Sequence, residues 1–560
     1  MYPEIELAQL VISACDQYAI DTIVISPGSR NAPLTVGFTN HSGSKTYSIV
    51  DERCAAFFAM GIAQQTQKPV ALVCTSGTAL LNYYPAIAEA FYSNIPLVVI
   101  SADRPKHLID IGDGQAIRQE NVYANHILYT ANLTDGAEEQ ENNAFQICKA
   151  LHTAIYQKGP VHINVPFEEP LYKTVEVLST AVVENIQRGK EKVEHEFSAQ
   201  HKAEIHYQQL AEQWNSFERK LILIGVNYPS ADLENILEKY ANDSSVLIMT
   251  ETTSNCHHTD FINSIDQLIT PLTETEFEQL RPDVLITFGG LVVSKRIKEF
   301  LRKFQPALHW HIDEHTKLDT YFCLTEHIKE KPEAFLSTLF AYQKESNSLY
   351  KKSWLPIKQD RLVQHTAYLA NTPYSDLKVF EVLLQSIPDN CQLQLSNSSV
   401  VRYTQLFTLN PTLHVFCNRG TSGIDGSTST AIGAATTAEK QTVFITGDIS
   451  FYYDSNALWN SYVPKNFRII IVNNSGGGIF KIIPGPQSTN ALKYFETPHN
   501  LTAEFLAKTY GFMYCSAKNN MELEKELKEF YKVSDVPKIL EIFTPSDENG
   551  EILKQYFKNL

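Results

Sequence analysis

The sequence predicts an α/β protein made of three consecutive doubly wound parallel-sheet domains. Its 560 residues leave room for roughly three or four compact domains. Hydrophobic residues make up 43% of the chain, which is enough to form cores of normal size. Short segments rich in Val, Ile and Leu alternate with longer helical patterns, and this alternation is typical of parallel sheets covered by helices.

Two charged or polar stretches divide the chain into three parts of similar size. Residues 184–202, ENIQRGKEKVEHEFSAQHK, contain almost no strand-forming residues, and residues 343–360 are polar and rich in lysine. We interpret both as joints between domains. They predict a first domain over residues 1–183, a central domain with its flanking linkers over 184–360, and a third domain over 361–560.

The predicted elements repeat the same pattern in each domain. In the first domain, residues 54–63 are predicted to form a buried helix, and the strands are 22–26, 70–75, 96–102 and 161–165. In the central domain the predicted strands are 220–226, 245–250 and 284–288. In the third domain they are 413–417, 442–446 and 468–472.

Charge and cysteine usage exclude several classes of function. The chain carries 47 basic and 63 acidic residues, a net charge of −16, which argues against nucleic acid and membrane surfaces as partners. Its first residues are acidic rather than basic, and no apolar segment approaches the ~20 residues needed to cross a bilayer. The nine cysteines include no CxxC pair. We therefore expect reduced thiols and a cytoplasmic location.

Polar loops follow two neighbouring predicted strands of the third domain. The segment TGDIS contains Asp448 and Ser450, and the segment NNSGGG contains Asn474 and Gly476. Ligands of parallel sheets bind at the carboxyl ends of strands, so both loops face one crevice. A carboxylate, an amide oxygen and a glycine carbonyl suit Mg²⁺, and glycines let a diphosphate approach the backbone. The alternative is two ordinary strand-to-helix turns.

A carboxylate and a set of basic residues complete the candidate site residues. Glu52 lies just before the predicted helix 54–63. The alternative is that its carboxylate only stabilises the start of the helix through the helix dipole. Six basic residues lie beside glycines or turns, which suggests carboxylate recognition rather than surface ion pairs; they are Arg30, Arg104, Lys295, Arg296, Arg402 and Arg419.

Other motifs that could indicate a metal, nucleotide or hydrolase site are not supported by the sequence. The segment HWHIDEH resembles a metal site, but its histidines alternate as in a strand, so we assign His309 and His311 structural roles. The sequence contains no GxxxxGK[ST], GxGxxG or GxSxG motif. P-loop, dinucleotide-fingerprint and α/β-hydrolase interpretations therefore have no support.

Eight motifs together resemble one enzyme family. They are SPGSRNAPL (26–34), DERCA (51–55), TSGTA (75–79), ADRP (102–105), GQAIRQ (114–119), SNSSVVR (396–402), NRGTSGIDG (418–426) and NNSGGGIF (473–480). The chain resembles the thiamine-diphosphate enzymes, and more narrowly the 2-succinyl-5-enolpyruvyl-6-hydroxy-3-cyclohexene-1-carboxylate synthases of menaquinone biosynthesis. The motifs extend over essentially the whole chain.

The resemblance implies a reaction, cofactors and an assembly. The family joins 2-oxoglutarate to isochorismate with loss of CO₂, using thiamine diphosphate and Mg²⁺, with Mn²⁺ as an alternative metal. The domains would be pyrimidine-binding, central and diphosphate-binding, in that order. The cofactor would lie between the first domain of one subunit and the last of another, which requires a homodimer or a dimer of dimers.

The resemblance also implies residue roles. Asp448, Asn474 and the Gly476 carbonyl would hold the metal, Ser450 would help to bind the cofactor, and Glu52 would bond the aminopyrimidine ring. Ile424 would force the cofactor into its bent shape. Arg402 and Arg419 would bind 2-oxoglutarate, and Ile479 and Phe480 would keep the reacting carbon dry. The residues implied around isochorismate are Ser29, Arg30, Arg104, Gln115, Lys295 and Arg296.

Two alternatives stay open. An acetolactate-synthase-like enzyme would act on pyruvate, but it would not need Arg402 and Arg419 for a distal carboxylate. A non-catalytic binding protein on the same fold would be expected to have lost Glu52 or the Asp448/Asn474 pair, and all three residues are present.

Overall fold

The computed structural model describes residues 1–198, 205–482 and 485–560. Within these residues the chain forms three α/β domains, each built on a parallel sheet with apolar cores on both faces. The predicted fold class is confirmed. A short antiparallel pair, Tyr2–Pro3 with Thr174–Val175, lies outside the three main sheets.

The first domain has a six-stranded sheet in the order β3-β2-β4-β5-β7-β6. Its strands, including the outlying β1 and β8, are β1 (Tyr2–Pro3), β2 (Thr22–Ile25), β3 (Lys45–Ser48), β4 (Val70–Cys74), β5 (Leu97–Asp103), β6 (Tyr129–Asn132), β7 (Val161–Pro166) and β8 (Thr174–Val175). Its helices are α1 (Glu6–Gln17), α2 (Ala32–Asn40), α3 (Glu52–Thr66), α4 (Ala79–Asn82), α5 (Tyr84–Tyr92), α6 (Gln140–Gln157) and α7 (Thr180–Ser198).

The central domain has a five-stranded sheet in the order β10-β9-β11-β12-β13. Its strands are β9 (Lys220–Ile224), β10 (Val246–Thr250), β11 (Val284–Phe288), β12 (Leu308–Ile312) and β13 (Glu326–Ile328). Its helices are α8 (Tyr207–Asn215), α9 (Ala231–Ala241), α10 (Ile265–Ile269), α11 (Glu274–Leu280), α12 (Lys295–Lys303) and α13 (Pro332–Ala341). His309 and His311 each lie 2.9 Å from the Thr287 hydroxyl inside this sheet, which confirms their structural role.

The third domain has a six-stranded sheet in the order β15-β14-β16-β17-β19-β18. Its strands are β14 (Gln392–Leu395), β15 (His414–Cys417), β16 (Thr442–Gly447), β17 (Arg468–Asn473), β18 (Met513–Ala517) and β19 (Lys538–Phe543). Its helices are α14 (Tyr350–Ala370), α15 (Asp376–Ser386), α16 (Ser399–Thr404), α17 (Ser427–Ala435), α18 (Asp448–Tyr453), α19 (Leu492–Glu496), α20 (Glu504–Thr509), α21 (Asn520–Phe530) and α22 (Asn549–Lys558).

The two predicted joints are largely helical. In the first, residues 184–198 belong to α7, which packs on the first domain through the buried Val182, Ile186 and Val193, while its charged residues face solvent. Residues 199–202 of that joint lie outside the described residues. The second joint leads into α14, which begins at Tyr350. The exact domain boundaries stay a prediction.

The first and third domains share one hydrophobic core. Phe58 and Leu72 of the first domain belong to the same buried cluster as Ile432 and Phe444 of the third. Helices α3 and α17 touch backbone to backbone there, because a Cβ on Gly433 would lie only 2.0 Å from the carbonyl oxygen of Phe58. Glycine is therefore required at this contact.

The helices of the described residues are too short or too polar to cross a lipid bilayer. The long helix α14, for example, carries charged residues along its length. Across the described ranges, none of the helices is long and apolar enough to cross a membrane.

Candidate active site

The two predicted polar loops of the third domain meet at one edge of its sheet. Strands β16 and β17 are parallel neighbours, and helix α18 begins with Asp448 directly after β16. The Asp448 carboxylate accepts hydrogen bonds from the backbone N–H groups of Ile449 at 2.7 Å and Gly476 at 2.9 Å. The structure thus brings Asp448 and the glycine loop into direct contact.

The side-chain amide of Asn474 has a fixed orientation. Its nitrogen donates a hydrogen bond to Asp376 at 3.0 Å, so its oxygen points the other way. That oxygen is buried and has no hydrogen-bond partner within the described residues. An unpaired buried acceptor is costly and needs an explanation such as an ion. The Asn474 oxygen therefore fits the part of a metal ligand.

Two further residues support these loops, and the sequence motifs did not identify them. Asp376, at the start of α15, is buried and accepts hydrogen bonds from Asn474 and from the Thr544 hydroxyl. Burial raises the pKa of Asp376 to about 6. His499 Nε2 lies 3.2 Å from Asp448 Oδ2. Both residues are far from the loops in sequence, and only a helix-cap signal at Ser375 precedes Asp376.

The donor set at this edge is one carboxylate, one amide oxygen and one carbonyl. The Gly476 carbonyl accepts a hydrogen bond from Gly478 N–H at 2.9 Å, which leaves its second lone pair available. In the part of the chain that the structure describes, no group of three His, Cys, Asp or Glu residues could hold a metal. The oxygen set at Asp448, Asn474 and Gly476 instead suits a hard cation that takes its remaining ligands from phosphate.

The segment 418–426, which we call the arginine loop, joins strand β15 to helix α17. Ser450 on α18 donates a hydrogen bond to the Ile424 carbonyl at 2.7 Å, which connects this loop to the helix that begins at Asp448. Arg419 donates from Nη1 to Asn397 at 2.8 Å, but its Nε is buried and has no partner among the described residues. The Arg419 guanidinium is thus buried with its Nε unpaired among the described residues, on a loop that is hydrogen-bonded to α18.

Arg402 lies close to Arg419. It donates from Nη1 to the carbonyl of Ser398 at 2.9 Å. Burial and the neighbouring Arg419 both lower the pKa of the Arg402 guanidinium. Two partly desolvated like charges repel each other unless an anion joins them. The predicted pair is thus brought together near the carboxylates of Asp266 and Glu251, which act on the pKa of Arg402 in the opposite direction.

The central domain contributes cations as well. Lys295 and Arg296 lie exposed in the first turn of α12, and the Arg296 guanidinium lies 5.4 Å from the centre of the Phe557 ring. Lys298, one turn further on, was not predicted. Burial and Arg419 lower its pKa, which places Lys298 near the arginine pair.

The first domain holds the predicted basic pair Arg30 and Arg104. Arg30 is buried, and it donates to the Phe167 carbonyl at 2.9 Å and to Glu169 at 3.2 Å. Arg104 donates to the Gly114 carbonyl at 3.0 Å, and its buried Nε has no partner in the described residues. Burial and Arg104 lower the pKa of Arg30, so the two guanidinium groups are neighbours. Two more predicted residues occupy exposed loops: Ser29 and Gln115.

Glu52 is the first residue of α3, capped by the carboxylate of Asp51. Asn82 donates to its carboxylate at 3.4 Å. Its neighbour Arg53 donates to the Tyr453 carbonyl, at the far end of α18 from Asp448. Among the described residues, no hydrogen bond or ion pair joins Glu52 to the Asp448 and Asn474 loops. The structure of one chain does not bring these predicted groups together.

Ile479 and Phe480 lie in a short helical turn that follows the glycine loop. Both are half-buried. The Phe480 ring packs against Phe495, with ring centroids 5.4 Å apart. These residues form an apolar wall beside the oxygen site.

Comparisons with known proteins agree with this arrangement. Three family models match in order: the N-terminal TPP binding domain of thiamine pyrophosphate enzymes over residues 5–126, the middle domain of thiamine pyrophosphate over 183–395, and the C-terminal TPP binding domain over 398–542. The two loops that meet at Asp448 and Gly476 lie in the C-terminal match.

Curated relatives match along their full length. A 2-succinyl-5-enolpyruvyl-6-hydroxy-3-cyclohexene-1-carboxylate synthase of Flavobacterium johnsoniae is 55% identical, with 100% of both chains covered. Proteins of the same name from Flavobacterium psychrophilum and Christiangramia forsetii are 54% and 51% identical, with at least 99% of each chain covered. The chain belongs to the 2-succinyl-5-enolpyruvyl-6-hydroxy-3-cyclohexene-1-carboxylate synthase family of thiamine pyrophosphate enzymes.

Proposed function

We propose that this chain catalyses the thiamine-diphosphate-dependent joining of 2-oxoglutarate to isochorismate with loss of CO₂. The product is 2-succinyl-5-enolpyruvyl-6-hydroxy-3-cyclohexene-1-carboxylate, an intermediate of menaquinone biosynthesis. The observation that carries this proposal is the Ser450–Ile424 hydrogen bond, which connects the oxygen site at Asp448 to the arginine loop. The bond supports the proposal because the loop that carries Arg419, a cation suited to a distal carboxylate, is attached to the helix that begins at Asp448.

Asp448, Asn474 and the Gly476 carbonyl are proposed to bind Mg²⁺ together with the cofactor diphosphate. The buried, unpaired oxygen of Asn474 supports this assignment. Asp376 supports it indirectly, because its hydrogen bond keeps the amide nitrogen away from the metal position. When bound, thiamine diphosphate supplies a nucleophilic carbon and accepts the electron pair released as CO₂ leaves the keto acid.

We propose that Glu52 serves the cofactor of a second copy of the chain. Within one chain, no hydrogen bond or ion pair among the described residues joins it to the Asp448 and Asn474 loops. Exposed apolar side chains surround its position: Val50 is 48% exposed and Tyr453, beside Arg53, is 53% exposed. Such residues favour burial against another subunit. A homodimer or a dimer of dimers follows from this assignment.

We assign some of the basic residues to 2-oxoglutarate and the others to isochorismate. Arg402 and Arg419 are proposed to bind the distal carboxylate of 2-oxoglutarate, and the unpaired Nε of Arg419 supports this. Arg30 and Arg104 are proposed for isochorismate, together with Ser29, Gln115, Lys295 and Arg296. The apolar Ile479 and Phe480 are proposed to exclude water from the reacting carbon.

We propose a cytoplasmic location. All nine cysteines are free, and seven of them are buried. Free, buried thiols are typical of proteins that stay in a reducing compartment. The net charge of −16 supports small anionic substrates bound at local cationic sites rather than nucleic acid or lipid.

A single assay tests the proposal. Purified protein with thiamine diphosphate and MgCl₂ is supplied with 2-oxoglutarate, with and without isochorismate, and CO₂ and product are measured. We expect CO₂ release from 2-oxoglutarate and formation of the joined product when isochorismate is present. Preferential use of pyruvate would instead support an acetolactate-synthase-like activity, and no CO₂ from either acid would contradict an enzymatic role.

A further inference from the structure

Glu89 is a buried acidic residue that none of the motifs singled out. It lies on helix α5 of the first domain and is only 2% exposed. Its carboxylate accepts hydrogen bonds from the arginine loop of the third domain: from Gly420 N–H at 2.6 Å, from Thr421 N–H at 2.6 Å and Oγ1 at 2.7 Å, and from Ser422 N–H at 3.3 Å. Ser93 adds a fifth bond at 3.0 Å.

These bonds determine the path of the loop backbone. Three successive N–H groups converge on one charged acceptor, and hydrogen bonds to an ionised group are stronger than neutral ones. Because the Glu89 carboxylate is almost completely buried, water replaces a lost bond poorly. A Cβ on Gly420 would lie 2.4 Å from the Glu89 carbonyl oxygen, so only glycine lets the loop approach α5 this closely. The first domain therefore clamps the loop.

The clamped segment adjoins Arg419. Within the third domain, Asn397 holds the loop by donating to the carbonyls of Asn418 and Gly423, both at 2.7 Å, and by accepting from Arg419. The Glu89 clamp begins at the very next residue, Gly420. The position of the Arg419 guanidinium is thus set by one contact inside its own domain and by one from another domain.

The charge of Glu89 does not neutralise Arg419. Its carboxylate is satisfied by backbone N–H groups and hydroxyls, and no ion pair between the two residues occurs within the described residues. The Arg419 Nε stays buried and unpaired. A direct ion pair would occupy the cation, whereas a backbone clamp positions it and leaves it free for a ligand.

We propose that Glu89 is a positioning residue that places Arg419 for the distal carboxylate of the keto acid. Glu89 thereby contributes to the choice of a dicarboxylic over a monocarboxylic 2-keto acid. This inference rests on the function proposed above. It links substrate selection in the third domain to the docking of the first domain of the same chain.

The main test is Glu89→Gln, which keeps the volume but replaces one acceptor oxygen with an NH₂ group facing backbone donors. We expect kcat/KM for 2-oxoglutarate to fall about tenfold, chiefly through KM, while use of pyruvate changes much less. In an Arg419→Ala background, Glu89→Gln should no longer change the ratio of the two kcat/KM values. Hydrogen exchange of the residue 420–422 amides should accelerate in Glu89→Gln.

Two matched variants separate positioning from general stability. Asp454→Asn alters another buried carboxylate between these domains, one that accepts from Ser429 N–H at 2.7 Å in the third domain and from the Cys54 thiol in the first. Among the described residues it has no hydrogen bond to the arginine loop. It should lower the melting temperature but leave the 2-oxoglutarate to pyruvate ratio and the 420–422 exchange unchanged. Thr421→Val removes the hydrogen bond from the hydroxyl of the exposed Thr421 to Glu89 and should fold normally. We expect the ratio of kcat/KM for 2-oxoglutarate to kcat/KM for pyruvate to drop about twofold.

The outcomes are distinct. Equal losses for both keto acids, or an undiminished effect of Glu89→Gln in the Arg419→Ala background, would overturn the positioning role. If Glu89→Gln does not fold, an unchanged ratio in Thr421→Val would overturn it equally. If the unaltered protein releases CO₂ only from pyruvate, the proposed function itself fails, and this inference fails with it.

Discussion

At the residue scale, the orientation of one amide gives the oxygen site its character. The Asn474 amide nitrogen donates a hydrogen bond to Asp376. Its oxygen therefore faces the crevice without a protein partner among the described residues. Asp448 receives backbone N–H groups on both of its oxygens. These contacts hold a compact set of oxygens in place, which would reduce the reorganisation that the proposed metal binding requires.

Asp448→Ala should abolish metal-dependent retention of the cofactor, because Mg²⁺ would lose its charged protein ligand. We expect thiamine diphosphate with MgCl₂ to raise the melting temperature of the unaltered protein, EDTA to cancel that gain, and the variant to show none. Asp535→Ala, at a fully exposed position in the same domain, is the control and should keep the gain. A full gain in Asp448→Ala would refute the metal role.

Arg402→Ala should weaken selection of 2-oxoglutarate. A charge-assisted hydrogen bond contributes about 1.5–3 kcal/mol, which corresponds to roughly a ten- to hundredfold preference. We expect kcat/KM for 2-oxoglutarate to fall by that factor and kcat/KM for pyruvate to change much less. Steady-state CO₂ release with each acid measures this, and parallel losses would mean that Arg402 supports the fold or the cofactor instead.

Sequence motifs identify residues at the site more readily than the residues that hold them. Asp448, Asn474 and Arg419 stand in distinctive glycine-containing segments at strand ends, so their types and spacing are informative. Asp376, Glu89 and His499 stand in segments with no such signal and reach the site only through folding. A buried carboxylate on a helix looks like any amphipathic position until its partners are known.

At the scale of elements, the ten strands predicted from apolar runs all form, because a buried parallel strand is nearly all apolar. Strand β14 was not predicted, since its sequence QLQL alternates polar residues that are nonetheless buried. Gln392 accepts from Thr442 at 2.8 Å, and Gln394 donates to Gln64 at 3.4 Å. Hydrogen bonds between neighbouring elements, which no local pattern reveals, make these glutamines acceptable in a core.

Strand β7 makes the first domain sensitive to acid. His162 is fully buried, lies 2.7 Å from the Ser101 hydroxyl, and burial lowers its pKa to about 3. Between pH ~6.5 and about 3 the unfolded chain binds a proton that the folded chain does not, so the free energy of unfolding falls as pH falls. The contribution is complete above pH ~6.5 and amounts to about 2 kcal/mol lost at pH 5.

His162→Gln should remove this pH dependence. We expect the loss of stability between pH 7.5 and 5, measured by urea unfolding, to be smaller in the variant than in the unaltered protein by about 2 kcal/mol. The exposed His195 offers a control, because His195→Gln should leave the pH dependence unchanged. An identical pH response in all three proteins would contradict the assignment.

The contact between α3 and α17 should tolerate no added methyl group. Gly433→Ala would drive its Cβ to 2.0 Å from the Phe58 carbonyl oxygen and push the helices apart. We expect a destabilisation of about 1–3 kcal/mol, seen as a lower melting temperature. Gly114→Ala, where nothing lies within 4 Å of the added Cβ, should have little effect. Equal melting temperatures would show that the helices can separate without cost.

At the scale of the whole molecule, we propose that the site draws on two chains. Glu52 and the Asp448 loops belong to domains that pack together in one chain, yet no hydrogen bond or ion pair among the described residues joins them. The fold could be predicted from the sequence because its pattern repeats locally three times. The faces that meet across domains could not be predicted from the sequence, because the shared core depends on helices that are hundreds of residues apart.

Mixing two inactive variants tests the shared site. Glu52→Gln and Asp448→Ala should each be inactive alone. After unfolding and refolding together in equal amounts, half of the dimers are hybrids, and each hybrid contains one site with both residues intact. We therefore expect about a quarter of the normal activity to return. If both residues served a site within one chain, every site in the mixture would carry a defect and no activity would return.

The core shared by α3 and α17 also affects how the protein is made. About 370 residues separate Thr66, where α3 ends, from Ala435, where α17 ends, and at ribosomal rates of about 5–20 residues per second that distance takes roughly 20–70 s to translate. During this interval the nascent first domain exposes the apolar face of α3 without its partner. Such a surface attracts chaperones and aggregation. We therefore expect the first domain to need chaperones until α17 has been synthesised and can cover α3.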